Sequence, residues 1–216
     1  MTDHKTFLVF GGTGQTGQHF VAHALKEGHR VRALARNPAK FTYANPNLDV
    51  REGLVTDIPD IDQLVRGVDY VVSMLGDAQL QRARKVNTEF VRELVPAMRR
   101  QGVTRFLYQA GGLSRKPGSR LSPVLWAVRN TIARSHQGQH EDNEAVMRYL
   151  TDEAADLEWM VHRAGIGSNG PSKGELVRSR TRVSIATFVD CATYNYRTVM
   201  DPAAIHTCDT SVYSAG

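Results

Sequence analysis

Along the chain, short apolar runs alternate with longer stretches whose apolar positions recur every three or four residues, a pattern that predicts a mostly parallel sheet covered by helices. Phe7 to Phe10 reads as a buried first strand. Phe20, Val21, Ala24 and Leu25 follow at helical spacing, with Gly28 placed to end that helix. Val31 to Ala35 and Leu48 to Arg51 are the second and third strands, Asp60 caps a helix through Leu64 and Val65, and Tyr70 to Leu75 is the fourth strand, ending at Gly76. Gln79 to Gln101 is predicted as one helix with Val86, Phe90, Leu94 and Met98 on a stripe, kinked at Pro96 and stopped at Gly102. Phe106 to Tyr108 is the fifth strand, opening into Gly111 and Gly112, and SRKPGSRLSP is a loop by composition. A long helix is expected from Val124 to Leu150, broken near Gly138, then a sixth strand from Leu157 to His162. GIGSNGPSKG reads as a loop, TFVDCATYNYRTVM as a helix and AIHTC as a last strand. No repeat, low-complexity tract or linker divides the 216 residues, so one domain over 1–216 is expected.

Between the first strand and its helix stands GGTGQTG, with glycines at 11, 12, 14 and 17. A glycine-rich turn from a buried strand into a helix, inside a βαβ unit, is the setting in which a dinucleotide pyrophosphate meets backbone amides without meeting Cβ atoms. Amides near Gln15 and Thr16 would then donate to phosphate oxygens with the helix dipole assisting. At the end of the second strand, where an acid would hold an NAD ribose, the chain has Arg36, with Lys40 following. A guanidinium there suits a 2′-phosphate, so NADP(H) is the expected cofactor.

Composition adds little. Hydrophobic residues make up 41% and charged residues 23%, as in ordinary globular chains. The net charge of +5 comes from scattered Arg and Lys with no aromatic platform or nucleic-acid motif, so a phosphorylated small molecule is the expected anionic partner and nucleic acid is not. No run is long enough to span a bilayer and no secretory signal is seen, which gives no membrane partner and a cytoplasmic expectation. Cys191 and Cys208 lack metal-site spacing and read as free thiols.

Taken together, VFGGTGQTG, VRALARNPAK, a strand ending MLG, VNTEFVRELVPAMRRQGVTRFLY and EWMVHRAGIG resemble the atypical short-chain dehydrogenases, specifically the NmrA-like group with its flavin and biliverdin-IX-beta reductases. The resemblance implies an α/β, Rossmann-like, doubly wound and mostly parallel sheet with helices on both faces and a small C-terminal substrate lobe. It implies that Gly11, Thr13, Gly14, Gln15, Thr16, Gly17, Arg36 and Lys40 bind the cofactor, that Leu54 and Val55 lie near adenine, and that Met74, Leu75 and Gly76 line the pyrophosphate and ribose side.

The departures bear on chemistry. No Tyr is followed four residues later by Lys, the serine usual after the fifth strand is replaced by Ala110, Gly111 and Gly112, and Gly165 stands where the reductases carry a histidine. Ser114, Lys116 and His140 remain as catalytic candidates: the first two to hydrogen-bond a carbonyl, the third, aligned with a reductase histidine, to donate a proton. His136 and His140 share a helix face but lack a third ligand, so no metal is expected. The substrate pocket is expected around Asp77 to Arg84 and in the loops near 112–123 and 166–183. The reading is an NADPH-dependent oxidoreductase moving hydride to or from a small conjugated or aromatic substrate, flavin-, quinone- or polyketide-like. The alternatives are a non-catalytic NADP(H)-sensing regulator and a redox-neutral isomerase. Oligomeric state is left open.

Overall fold

The structure is a computed structural model that describes residues 4–214, so residues 1–3 and 215–216 of the expected 1–216 domain lie outside the described residues. Its strands are β1 (Thr6–Phe10), β2 (Arg30–Ala35), β3 (Leu48–Glu52), β4 (Tyr70–Ser73), β5 (Arg105–Gly111), β6 (Glu158–Ala164), β7 (Ile166–Ser168), β8 (Leu176–Ser179), β9 (Ala186–Thr187) and β10 (Cys208–Tyr213). Its α-helices are α1 (Gln15–Lys26), α2 (Ile61–Val65), α3 (Leu80–Ala83), α4 (Val86–Arg100), α5 (Pro123–Asn130), α6 (Gln137–Glu153) and α7 (Phe188–Met200). Eight strands form one sheet in the order β3-β2-β1-β4-β5-β6-β10-β8, parallel throughout except for the antiparallel β8 edge; β7 and β9 pair separately. This is the doubly wound, Rossmann-like fold expected.

Strands buried on both faces read as continuous apolar runs, and β1 shows why. Leu8 and Phe10 pack with Phe90, Leu94 and Met98 of α4, while Phe7 and Val9 pack with Phe20, Val21 and Ala24 of α1. Asp60 caps α2 by accepting from the Gln63 amide at 2.8 Å, as its position predicts. Among the described residues no helix is long and apolar enough to cross a membrane.

Beyond shifts of a few residues at the ends of β4, β5 and β6, four places differ from expectation. The helix predicted over Gln79–Gln101 is two, broken at Arg84 and Lys85, and α4 runs unbroken through Pro96. The helix expected from Val124 is interrupted at 131–136, whereas Gly138 sits inside α6; a Cβ there would lie 2.3 Å from the Gln81 carbonyl, so the glycine lets α6 press on α3. The stretch expected as a loop after β6 contains β7 and leads to β8, whose backbone completes the sheet against β10. The last strand starts at Cys208 rather than Ala204, because a 3-10 turn at 202–204 and His206, with φ of +58°, precede it.

Candidate functional site

β1 lies between β2 and β4, so the chain leaves the carboxyl ends of these strands in opposite directions and opens a crevice. The glycine loop forms its floor. Gly11 has φ of +78°, and a Cβ on it would come 2.6 Å from the Met74 carbonyl at the end of β4. A Cβ on Gly17 would come 2.0 Å from the Gly11 carbonyl, so α1 seats on the loop only with glycine there. The N-cap of α1 is Gly14, which has no side-chain cap, and the first intrahelical bond runs from the Gln18 amide to the Gly14 carbonyl at 2.9 Å. The amides of Gln15, Thr16 and Gly17 therefore precede the helical ladder, and the positive end of the helix dipole has no acid in its first turn.

The crevice has a volume of about 400 Å³. Of the expected cofactor residues, Gly11, Thr13, Gly14, Arg36, Lys40, Leu54, Val55, Met74, Leu75 and Gly76 line it together. Gln15, Thr16 and Gly17 do not line it and form the first turn of α1 beside it. Asp77, Leu80, Gln81, Arg84 and Asn87, from α3, the residues flanking it and the start of α4, close the remaining side. Arg36 reaches across the opening to Asp77 at 3.5 Å, and Arg84 pairs with Glu89.

Beneath the α3 side runs a buried polar network that the sequence did not disclose. The Asp142 carboxylate of α6, fully buried, accepts from Gln81 Nε2 (2.8 Å), the amides of Asn87 and Thr88 (both 2.9 Å) and Thr88 Oγ1 (2.7 Å). It caps α4 from outside, where Lys85 supplies no side-chain cap. Next to it Asn87 Nδ2 donates to the Tyr108 hydroxyl (2.9 Å), which donates to Asn143 Oδ1 (2.6 Å), and Asn143 Nδ2 donates to Ser114 Oγ (3.3 Å). Burial pushes the Tyr108 phenol well above its ordinary pKa, so it stays protonated. No local sequence signal marks this network, whose members come mainly from α3, α4, β5 and α6.

The three catalytic candidates stand apart from the crevice. Ser114 is fully buried, with its hydroxyl turned to Asn143. Lys116 lines two grooves on the flank of α6, one with Arg115, Arg120 and Asp152 and one with Trp159 and Cys208, and it is not in the crevice. His140 is buried with neither ring nitrogen hydrogen-bonded. Burial, then the positive charge of Arg129, pushes its pKa down to about 4, so the expected proton donor is neutral near pH 7. Around it, Glu144 is held by Arg115 and Arg129; burial opposes its ionisation, but these hydrogen bonds outweigh it and keep its carboxyl below the usual range. Nor is there room for the histidine missing at Gly165, since a Cβ there would come 2.6 Å from the Ser184 carbonyl and from Val183 Cγ2.

The chain is similar to known proteins in parts and in fold. It is 34% identical over 120 residues to a 3-beta-hydroxysteroid dehydrogenase of Mycolicibacterium neoaurum, covering 50% of this chain and 32% of that protein. The match thus covers about a third of the length of the curated steroid-dehydrogenase relatives. The crystal structure of the oxidoreductase ylbE from Lactococcus lactis superposes with a TM-score of 0.78 at 17% identity, covering 97% of this chain and 91% of that one. The anaerobillin reductase ChuY from Escherichia coli O157:H7 superposes with a TM-score of 0.76 at 17% identity, covering 98% of each chain. Over residues 11–188, which take in the glycine loop and every wall of the crevice, the sequence matches the family described as NAD(P)H-binding, and the chain belongs to that family.

Proposed function

We propose that the chain holds NADP(H) in the β1/β4 crevice and is an oxidoreductase acting on a small conjugated or aromatic substrate. The observation that carries this reading is that Gly11, Thr13 and Gly14, the N-cap of the uncapped α1, line the same crevice as Arg36 and Lys40. The residues present fit the group: glycines at 11 and 17 whose Cβ positions are already occupied, a crevice of about 400 Å³, and two cations beyond β2. Gly11, Thr13 and Gly14 would take the pyrophosphate side, Arg36 and Lys40 the 2′-phosphate, and Leu54 and Val55 the adenine. The cofactor, when bound, supplies or accepts hydride. The names of the similar proteins, a dehydrogenase, an oxidoreductase and a reductase, agree with that class.

The chain's own contribution is to bind, orient and shield. Among the described residues, the ionisable side chains lining the crevice are Arg36, Lys40, Asp77 and Arg84, with no histidine, cysteine or tyrosine beside them. The substrate class that fits is one whose reduced form takes its proton from water, as flavin-like and quinone-like acceptors do. A second reading, a non-catalytic NADP(H) sensor, is favoured by one observation: Ser114 and His140 are buried and turned away from the crevice. Mixing the protein with NADPH and a panel of flavins and quinones, and following the nicotinamide absorbance, separates them. Steady oxidation that is lost in Arg36→Glu supports the oxidoreductase; tight NADPH binding with no turnover on any acceptor supports the sensor.

A further inference from the structure

The crevice contains a single acid, and it sits on the cation that the cofactor needs. Among the described residues that line it, Arg36, Lys40 and Arg84 are cationic and Asp77 alone is anionic. The Asp77 carboxylate is held firmly: Oδ1 accepts from the amides of Gln79 (3.2 Å) and Leu80 (3.1 Å), capping α3, while its own amide donates to Gln81 Oε1 (3.3 Å). Oδ2 meets Arg36 at 3.5 Å, the one side-chain partner the guanidinium has among the described residues. The arginine is the more exposed half, with 65% of its side chain accessible against 35% for the aspartate.

We propose that Asp77 competes with the cofactor's 2′-phosphate for Arg36, and so sets how far the crevice prefers NADPH over NADH. This rests on the placement of NADP(H) in the crevice. A 2′-phosphate that takes Arg36 must separate it from Asp77, and the carboxylate, fixed by its capping bonds, remains as a like charge beside the phosphate. NADH presents a hydroxyl at that place. It leaves the Arg36–Asp77 pair intact and brings no charge against the carboxylate. Asp77 therefore weakens NADPH binding selectively, and the preference expected from Arg36 is held below what the arginine alone would give.

Asp77→Asn tests this, because asparagine keeps the oxygen that caps α3 and removes only the charge. Dissociation constants for NADPH and NADH are measured by titration calorimetry on the wild-type chain, Asp77→Asn, Arg36→Met and the double variant. The expected result is NADPH binding tighter by about 5- to 10-fold in Asp77→Asn, NADH within twofold of wild type, and no gain from Asp77→Asn in the Arg36→Met background. NADPH affinity unchanged or weaker in Asp77→Asn overturns the proposal, as does an equal gain for both nucleotides or a full gain that persists without Arg36. Wild-type protein that binds neither nucleotide overturns the cofactor site itself and this inference with it.

Discussion

Two neighbouring regions at the carboxyl ends of the strands are built in opposite ways. The crevice between β1 and β4 leaves hydrogen-bonding capacity open: α1 starts without a side-chain cap, and Lys40 has no carboxylate partner among the described residues. Beneath the α3 side of the crevice, polar groups are instead spent on one another, in the chain from Asn87 through Tyr108 and Asn143 to Ser114 and in the four bonds to Asp142. Open donors on a glycine floor mark a place for a ligand, whereas satisfied buried groups hold helices in position. The comparison explains why the residues that predict a cofactor are brought together while those offered for catalysis are not.

The sharpest way to break the comparison is to fill the floor. In Gly17→Ala the added methyl meets the Gly11 carbonyl, and nucleotide affinity is expected to fall by at least about 100-fold, equivalent to roughly 2.7 kcal/mol; calorimetry on a variant whose circular dichroism matches wild type checks it. On the satisfied side, Asp142→Ala leaves two α4 amides without their acceptor inside the protein and is expected to cost about 2–4 kcal/mol in urea unfolding. An Asp142 variant as stable as wild type would remove the distinction between the regions.

Acid probes two other buried groups, His162 and His140. His162 is buried between Asn195 Oδ1 (2.6 Å) and Ser211 Oγ (2.9 Å), and burial lowers its pKa to about 4, as it does for His140. A folded-state pKa below the unfolded value of about 6.5 means that the unfolded chain binds protons first. The stability from these neutral histidines is complete above pH 6.5 and is lost as pH falls from there towards 4. Unfolding free energy measured across that window should decline by on the order of 3 kcal/mol per histidine at most, and His162→Gln should flatten the decline relative to wild type. Smallest of all, Gly111→Ala should change stability by less than about 1 kcal/mol, since a Cβ there finds its nearest neighbours at 3.8 and 3.9 Å; a large loss would mean that Gly111 is constrained as the floor glycines are.

The same division governs what the sequence discloses. β1, α1 and β2 are legible because both faces of the strands are covered and the loop between them needs glycine where φ is positive or a carbonyl lies close. The break between α3 and α4 is hidden because the apolar stripe of Val86, Phe90, Leu94 and Met98 begins only after it, while the one buried residue of α3 is the polar Gln81. β8 escapes because LVRS is a short, half-exposed edge strand with little alternation. The Asp142 and Tyr108 contacts join residues 21 to 61 positions apart, and nothing local in DNE or FLYQ announces them. Arg36 could be placed from its distance to the glycine loop, but its meeting with Asp77 depends on β4 lying beside β1.

The most direct test of the account is the binding of NADPH and NADH to the wild-type chain and to Arg36→Met, measured by calorimetry. The account predicts that wild type binds NADPH more tightly than NADH, that Arg36→Met removes the difference, and that NADH affinity is little changed. Tighter binding of NADH to the wild type, or a preference for NADPH that survives the loss of Arg36, would contradict it.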